Sequence, residues 1–262
     1  MSAALDHLVI NTRFALDRAA GLFEGLGFTL TPRGYHSLGS INHLIMFAEG
    51  YLELIGLPTE GDRLRQEILD SPQGIDGLVL ASADPLATHA ELVREGFLVQ
   101  PVQHFSRPVT LEGQEHQARF GTVRLVPGQF DAGRVYFCHH ETPELVWRPE
   151  WLGHANGVQA IERLIVVSEN PEQTRHAYQR LGRFDGGFGL DVLDEAQWWV
   201  RSGDLAEELA SRVERFAGIG LRGGDPDDLA RRAAALQLPH RRTDQGVLIA
   251  IPEFDTLLEC RP

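Results

Sequence analysis

The sequence contains very few cysteines. Its 262 residues include two, Cys138 and Cys260, which lie far apart and each near the end of an apolar stretch. Two separated thiols cannot supply the disulfide framework of a small secreted protein or the cysteine cluster of a structural zinc site. We therefore interpret both as small buried residues of a protein from a reducing compartment.

Basic residues are scarce relative to acidic ones. Lys and Arg together number 24 against 37 Asp and Glu, and the formal net charge is −13. No cationic excess is available to neutralise phosphates, so we expect neither nucleic acid nor an anionic membrane surface as a partner. A local basic pocket is compatible with this balance, so an anionic small molecule is not excluded as a substrate.

Long apolar runs are missing as well. No segment approaches the ~18 apolar residues of a membrane span. Met1-Ser2-Ala3-Ala4 leads directly into a strand-like segment, without the basic region and apolar stretch of a signal peptide. The 43% hydrophobic and 23% charged residues are typical of a globular protein, and we expect a cytoplasmic one.

What the sequence does contain is a fourfold repeat. Strand-like apolar segments recur at 5–10, 75–80, 161–166 and 216–221. The last three align without a gap through the same helix start, a capping residue followed by proline: Asp84-Pro85, Asn170-Pro171 and Asp225-Pro226. We interpret the chain as four copies of one strand–helix unit.

The first two units predict the same order, a strand, a helix and three strands. In the first unit these elements are strand 5–10, helix 13–25 and strands 28–31, 41–47 and 51–56. In the second they are strand 75–81, a helix from Pro85 to about residue 95 and strands 98–105, 117–126 and 134–139. A polar helix at 60–70 links the two units.

The second half repeats this plan in a reduced form. Residues 141–157 form a connector with two tryptophans, which we expect to pack against the protein body. The third unit has strand 161–167 and helix 171–181, but residues 184–201 leave room only for a hairpin near Val192 and Trp198-Trp199-Val200. A helix at 204–215 follows. The fourth unit consists of the elements at 216–222, 226–236, 240–243, 246–251 and 256–260.

Paired βαβββ units resemble the vicinal oxygen chelate superfamily, and several motifs resemble its glyoxalase-like domain proteins. The motifs are Leu5-Asp6-His7-Leu8-Val9, Tyr51-Leu52-Glu53-Leu54-Ile55, Cys138-His139-His140-Glu141-Thr142-Pro143, Trp147-Arg148-Pro149 and His154-Ala155-Asn156-Gly157. The resemblance implies an α+β fold in which four βαβββ modules form two paired half-barrel, cup-shaped sheets. We expect a first half at 1–140 with the metal site, the connector at 141–157 and a degenerate half at 158–262. Several members of the superfamily pair as dimers, so a homodimer is also implied.

His7 and Glu53 are the first two candidate metal ligands. The resemblance places ligands on the first and last strands of paired units, and among the four unit copies the His7 position otherwise holds Gly77, Arg163 and Gly218. Strand alternation puts Leu5, His7 and Val9 on one face. Glu53 lies in the middle of an apolar strand, where a buried carboxylate is costly unless it meets a cation.

The third ligand is expected from His139-His140 at the end of the second unit. Matching Gly50 to Gly133 pairs Glu53 with Tyr136 and turns His140 inward. Matching Cys138 to Cys260, where Glu259 aligns with Glu53, turns His139 inward, and a slip of one residue reverses every side chain. The Cys-x-His pattern of glyoxalase-like proteins favours His140.

The resulting hypothesis is an enzyme that uses one divalent metal ion, Fe, Mn, Zn, Ni or Co, held by His7, Glu53 and His140. Its substrate would be a small molecule with vicinal oxygens, and the chemistry that of a lyase or isomerase acting through a metal-stabilised enolate. His43, or whichever of His139 and His140 is not a ligand, would be the general base, so His43 and His139 are the catalytic candidates. Two alternatives stay open, an extradiol-type non-haem iron dioxygenase and a non-catalytic binding or resistance protein. Tyr35 and His36 are interpreted as surface-loop residues that could gate the substrate, and Arg163 as a partner of Glu259.

Overall fold

The computed structural model describes residues 3–60, 64–184, 187–210 and 212–262. The elements of the first half are β1 Leu5–Arg13, α1 Leu16–Gly25, β2 Gly34–Tyr35, β3 Ile41–Met46, β4 Tyr51–Gly56, α2 Gln66–Asp70, β5 Gly74–Ala81, α3 Pro85–Arg94, β6 Gln103–Leu111, β7 Gln114–Arg124 and β8 Arg134–His140. Those of the second half are β9 Ala160–Val167, α4 Pro171–Gln179, β10 Gly189–Leu193, α5 Glu195–Ser202, β11 Arg215–Arg222, α6 Pro226–Ala235, β12 His240–Thr243, β13 Gly246–Ile251 and β14 Thr256–Arg261. Short 3-10 turns lie at Pro143–Leu145, Pro149–Trp151, Gly203–Glu208 and Pro252–Phe254.

The strands form two separate sheets. The first has eight strands in the order β2-β3-β4-β1-β5-β8-β7-β6, and the second has six in the order β10-β9-β11-β14-β13-β12. In each sheet the first strands of two units run antiparallel side by side, and each pairs with the last strand of its own unit in parallel. The second sheet therefore follows the plan of the first with two edge strands missing. The predicted α+β class with two cup-shaped sheets is confirmed.

Each sheet has one face toward the helices and one toward its own interior. On β1, Leu8 and Ile10 belong to the main core, which packs under the helices and continues through both halves. Val9 points the other way, into a smaller apolar cluster on the inner face of the eight-stranded sheet. We call the space enclosed by that face the first cup, and its counterpart in the six-stranded sheet the second cup. Because side chains alternate along each strand, those facing the helices form the core and those facing the cup are available to a functional site.

The connector packs against the first half at several points. The indole N–H of Trp147 donates to the carbonyl of Phe47 at 3.2 Å, and the side-chain amide of Asn156 donates to the carbonyl of Leu26 at 3.0 Å. His154 accepts from the backbone N–H of Thr29 at 3.0 Å and donates to the carbonyl of Met46 at 2.9 Å. The connector thereby brings Trp147 against the inner face of the first cup, where its ring packs edge-on against Tyr51 and His140.

Several predicted elements of the first half were wrong in position. Residues 28–31 form no strand, because Thr31 bonds Leu44 through both its backbone N–H and its hydroxyl. The edge strand is instead β2. The strands predicted at 98–105 and 117–126 are β6 and β7, joined by a tight turn at Glu112-Gly113, where both residues have positive φ. The helix predicted at 60–70 is limited to Gln66–Asp70 in the described residues, and positions 61–63 lie outside them.

The hairpin predicted at 184–201 was also wrong. After β10 the chain forms α5, which carries Trp198, Trp199 and Val200. Its start is a capping box, in which the Asp194 side chain accepts from the Gln197 N–H and the Gln197 side chain accepts from the Asp194 N–H. The helix predicted at 204–215 is a 3-10 turn at Gly203–Glu208, β11 already begins at Arg215, and residue 211 is outside the described part. Among the described residues, no helix has the length and apolar character needed to cross a bilayer.

Candidate metal centre

A bulge in β1 decides which of its polar side chains reach the first cup. The pairing of β1 with β5 shifts register between Leu5 and His7. Leu5 consequently packs with the main core, whereas His7 and Asp6 both contact groups of the cup. Strand alternation had placed Leu5 with His7 and had put Asp6 on the opposite face. A β-bulge re-aims side chains in this way, and here it adds a carboxylate to the histidine.

His7 is buried and held by three neighbours. Its Nδ1 donates to Asp6 Oδ1 at 2.5 Å, and its ring stacks on Tyr51 with centroids 4.4 Å apart. Its Nε2 faces Glu53 Oε2 at 3.7 Å. Because Nδ1 carries the proton, Nε2 presents its lone pair to the cup. A carboxylate that holds the second nitrogen of an imidazole is the usual support of a metal-ligating histidine.

Glu53 is buried beside His7 and remains charged. Its Oε1 accepts from the side-chain amide of Asn42 at 2.6 Å and lies 3.9 Å from His36 Nε2. Burial alone would raise the pKa of the Glu53 carboxyl, but His36, His7 and the Asn42 hydrogen bond outweigh burial and hold this pKa below its ordinary value. An anionic carboxylate with an imidazole near each oxygen can accept a divalent cation.

His36 is a site residue that the sequence analysis assigned to the surface. Its side chain is 6% exposed, and its Nδ1 hydrogen-bonds to Ser40 Oγ at 2.9 Å. Burial lowers the pKa of His36 to about 4, despite the nearby Glu53 charge, so the ring is neutral at pH 7. His36 follows the two-residue strand β2 in a turn, where no periodic pattern marks buried positions. His7, His36 and Glu53 together provide two imidazoles and one carboxylate, the donor set of non-haem iron oxygenases, which also suits Mn, Co, Ni and Zn.

The strand register answers the question left open about His139 and His140. Val9 pairs with Glu53 across β1 and β4, and Val79 pairs with Tyr136 across β5 and β8. Tyr136 is therefore the counterpart of Glu53, and its hydroxyl lies 3.4 Å from His7 Nε2. His140 shares this inward face and packs edge-on against Trp147 at 4.7 Å. His139 points the other way and donates to the carbonyl of Ser82 at 2.9 Å.

Of the predicted site residues, the structure brings His7 and Glu53 together, places His140 beside them through Asp6, and turns His43 and His139 away. His140 Nε2 donates to Asp6 Oδ1 at 3.2 Å, so it joins His7 through the shared carboxylate and not through Glu53. His43 lies beside Asn42 on the opposite face of β3, where its Nδ1 donates to the carbonyl of Thr31 at 2.8 Å. His43 and His139 thus both bond backbone carbonyls on the faces that point away from Glu53.

A second donor set lies next to the first. The ligand atoms of Asp6, Cys138 and His140 are all within 4.8 Å of one another. Burial raises the pKa of the Cys138 thiol well above its ordinary value, so without a metal this side chain is a neutral thiol. Asp6 Oδ1 already accepts from both His7 and His140, which hold the pKa of its carboxyl at about 2 against the opposing effect of burial. A metal in this set would have to displace the two hydrogen bonds that Asp6 Oδ1 accepts from His7 and His140. In the first set Asn42 contacts both His36 Nε2 and Glu53 Oε1, whereas His7 Nε2 has only the longer contact with the Tyr136 hydroxyl.

Two neighbouring cavities with shared lining residues lie at the site. The inner cavity, about 30 Å³, is lined by His7, His36, Asn42, Glu53 and Arg107, together with aromatic side chains. It has room for about two water molecules or an ion. A cleft of about 780 Å³ adjoins it, and Arg65, Arg124 and Tyr136 line both spaces. The cleft is large enough for a small organic molecule.

Three arginines of the cleft converge on one carboxylate. Glu67 accepts from Arg65 at 2.8 Å and from Arg124 at 2.7 Å, and Arg134 lies 3.5 Å from it. Arg134 also pairs with the buried Asp76 at 2.5 Å. Burial opposes ionisation of Glu67, but the three guanidinium groups prevail and lower its pKa to about 2. The cleft wall therefore carries a charged network in which three arginines meet Glu67 and Asp76, and Asp70 is a third acidic residue of its lining.

This network predicts a contribution of Glu67 to stability that acid removes. A folded-state pKa below the unfolded value stabilises the fold above about pH 4.5, and the contribution is lost as the pH falls toward 2. Because the Glu67 side chain is 36% exposed, screening reduces the effect to about 1–2 kcal/mol. We expect Glu67→Gln to have a lower melting temperature than the wild type at pH 7. The difference between the two melting temperatures should become smaller below pH 3. Thermal unfolding across pH 2–7 measures this, with Glu24→Gln on the exposed side of α1 as control, and a gap independent of pH would contradict the prediction.

The second cup holds no equivalent centre in its described residues. Gly220 pairs with Glu259 as Val9 pairs with Glu53, so Glu259 occupies the matching position. Arg201 binds Glu259 Oε2 at 2.5 Å and Arg261 binds its Oε1 at 2.6 Å. The predicted pairing of Arg163 with Glu259 was wrong, because Arg163 instead contacts Asp191 at 3.3 Å. The cup is filled by α5, whose Trp198 is 1% exposed.

Comparisons with known proteins agree with this geometry. A structure of a hypothetical protein from Staphylococcus aureus is similar over 98% of this chain and 99% of its own, with a TM-score of 0.67 and 16% identity. A mutant of 4-hydroxymandelate synthase from Streptomyces coelicolor is similar over 99% of this chain and 93% of its own, with a TM-score of 0.56 and 10% identity. A fusion protein of a xylose isomerase-like TIM barrel and 4-hydroxyphenylpyruvate dioxygenase matches 98% of this chain and 48% of its own, with a TM-score of 0.54 and 15% identity.

These likenesses show the vicinal oxygen chelate fold. No curated protein matches the sequence. The family model described as "Glyoxalase-like domain" matches residues 5–182, which include the whole eight-stranded sheet and, in the second half, β9 and α4. The chain therefore belongs to the glyoxalase-like domain family.

Proposed function

We propose that the protein is a divalent-metal-dependent enzyme that acts on a small substrate with two neighbouring oxygens. The observation that carries the proposal is the pair His7 and Glu53, with Nε2 3.7 Å from Oε2 and Asp6 fixing the other imidazole nitrogen. His36 would complete the ligand set from the second Glu53 oxygen. The protein shares its fold and family with metal-dependent relatives. Imidazole and carboxylate donors also suit a divalent metal ion.

The role of each side chain at the site follows from its position. A bound divalent ion would polarise the substrate oxygens and hold them in one orientation. Asp6 keeps the His7 ring in the tautomer that points its lone pair inward. Burial raises the pKa of Tyr136, so its hydroxyl stays protonated and can donate to a substrate oxygen next to His7. Phe105 and Phe120, stacked with centroids 5.1 Å apart, exclude water from the same space.

Two reaction classes fit this centre, and His36 distinguishes them. If His36 is a ligand, the two imidazoles and one carboxylate favour oxygen insertion of the extradiol type, and the described residues leave no free base at the inner cavity. If the ion is held without His36, this neutral imidazole is the base for the proton shift of a lyase or isomerase. We favour the first class, because His43 and His139, the bases expected from the sequence, face away from Glu53.

The metal content of purified protein tests the proposal. Wild-type protein prepared without chelator should carry about one divalent ion per chain, and its melting temperature should rise when that ion is added back after chelation. His7→Ala should lose the ion, because no other described side chain replaces its Nε2 opposite Glu53. Cys138→Ala is the matched control, which should retain the ion. Loss of the ion in Cys138→Ala but not in His7→Ala would move the centre to Asp6, Cys138 and His140.

The same measurement on His36→Ala separates the reaction classes. Loss of the ion supports the ligand role and the dioxygenase class. Retention of one ion per chain supports the base role and the lyase or isomerase class. Wild-type protein that binds none of Fe, Mn, Zn, Ni or Co would contradict the enzyme proposal and leave a non-catalytic binding protein.

A further inference from the structure

Arg107 is a buried cation on the inner face of β6. Its residue is 4% exposed, and it faces the inner cavity together with Phe105 from the same strand. Its strand partner across β7 is the fully buried Ala118. The guanidinium therefore does not reach bulk solvent along its own strand pair. Only groups in the inner cavity can offset the cost of burying its charge.

Among the described residues Arg107 forms no direct ion pair, and the charge of Glu53 acts on it only at longer range. Its Nη2 is buried and has no hydrogen-bond partner among the described residues. Burial lowers the pKa of its guanidinium, which nevertheless remains charged near neutrality because arginine is so strongly basic. Other well-buried arginines differ, since Arg134 pairs with Asp76 and Arg215 pairs with Glu195. A buried guanidinium with an unbonded nitrogen and no direct ion pair is costly, which favours a group that is supplied from outside.

The surroundings keep space for this guanidinium. A Cβ at Gly34 would clash with Asn42 Oδ1 and lie 2.9 Å from Arg107 Nη1, so glycine at this position makes room for both side chains. Asn42 and Glu53 line the same cavity, which at about 30 Å³ accommodates a group the size of a carboxylate. Arg65 and Arg124 line both this cavity and the adjoining cleft. Arginines thus line both spaces, and in the described residues of the two linings together acidic residues match them in number, although the whole protein has a net charge of −13.

We propose that Arg107 binds a carboxylate of the substrate, which makes the substrate class a small organic acid. The planar guanidinium presents parallel N–H donors that match the two oxygens of a carboxylate. The carboxylate would lie in the inner cavity close to His7 and Glu53, and the remainder of the molecule would extend into the cleft past Arg124 and Tyr136. The inference deepens the proposed function, because it places the acid group of the substrate beside the proposed metal ligands.

Formate is the probe that tests this binding, with formamide as its neutral counterpart of equal size. Chelator-treated, metal-free protein should be titrated with each and followed by thermal unfolding and by isothermal calorimetry. We expect formate, but not formamide, to raise the melting temperature of the wild type. Its affinity should fall by at least about 10-fold in Arg107→Met, because hydrogen bonds to a charged group are lost. Arg119→Met, at an arginine whose side chain is 59% exposed on the neighbouring strand β7, is the control and should behave as the wild type.

A purely structural role of Arg107 predicts other results. On the proposal, Arg107→Met without ligand should be at least as stable as the wild type, because it removes a buried charge that has no direct ion pair. A structural role predicts a loss of stability instead. If this variant does not fold, Arg107→Lys can replace it. Lysine keeps the positive charge but lacks the two parallel N–H donors, so formate binding should still weaken. Equal formate affinity in wild type and in Arg107→Met or Arg107→Lys overturns the proposal, as does absence of formate binding to the wild type. The formate titration uses metal-free protein, so its result does not depend on whether the protein binds a metal. Failure of this proposal can therefore be distinguished from failure of the proposed function.

Discussion

Glu53→Gln is expected to abolish stoichiometric metal binding while the protein remains folded. The substitution preserves size and the oxygen that accepts from Asn42, but it removes the negative charge between His7 and His36. Changes to groups that merely support metal ligands cost 10–100-fold in affinity, so loss of a charged ligand should cost at least about 100-fold. Metal analysis after gel filtration measures the loss, and the circular dichroism spectrum shows whether the fold is retained.

Glu259→Gln is the matched control that the repeat itself provides. Glu259 occupies the position of Glu53 in the second sheet but is bound by Arg201 and Arg261. Its replacement should leave the metal content unchanged and lower stability by about 1–3 kcal/mol, because two arginines lose a charged partner. Equal metal loss in both variants would mean that the ion responds to overall stability and not to the His7–Glu53 pair.

Trp198→Ala should be the most destabilising single substitution in the second half. The indole is 1% exposed and occupies the second cup among Ile165, Ala217, Leu248 and other apolar side chains. Truncating a buried tryptophan to alanine costs about 3–5 kcal/mol, a large share of the stability of a typical domain. For a chain of this size the melting temperature should fall by about 6–20 °C.

The neighbouring Trp199 gives the control for this experiment. It lies on the same helix and is 43% exposed, so Trp199→Ala should change stability by no more than about 0.5 kcal/mol. Thermal or urea unfolding of both variants measures the difference. If Trp198→Ala were as mild as Trp199→Ala, the second cup would not depend on α5 for its core.

Local sequence signals predicted much of the scaffold correctly. The caps Asp84, Asn170 and Asp225 each accept backbone N–H groups at the start of α3, α4 and α6, and proline follows each of them. These signals act within a few residues, so they can be read without knowledge of the tertiary structure. The hydrophobic alternation of the unit strands likewise identified the strands at the centre of both sheets.

Signals that depend on context were harder to interpret. The apolar run at Trp198-Trp199-Val200 is compatible with a strand, and only the Asp194–Gln197 capping box identifies it as helix. Register along β8 could not be derived from two competing alignments, because a shift of one residue exchanges His139 and His140. The pairing of Val79 with Tyr136 in three dimensions decides it.

The candidate site was partly accessible to the same reasoning. His7 and Glu53 stood out because a polar residue within an apolar strand needs a partner, and the structure brings these two side chains together. Asp6 was missed because a bulge reverses the local alternation, and His36 because it lies in a turn. Arg107 lies on a strand whose bounds were predicted too early in the sequence, so its inward position could not be recognised.

The single oxygen Asp6 Oδ1 that receives hydrogen bonds from both His7 and His140 makes these two histidines thermodynamically interdependent. Removal of either imidazole leaves the carboxylate to the other and strengthens that remaining contact. The free-energy changes of the two single substitutions should therefore not sum to that of the double substitution. A substitution of His140 will therefore also change the interaction of Asp6 with His7. Only a complete double-mutant cycle can separate the contributions of the two histidines.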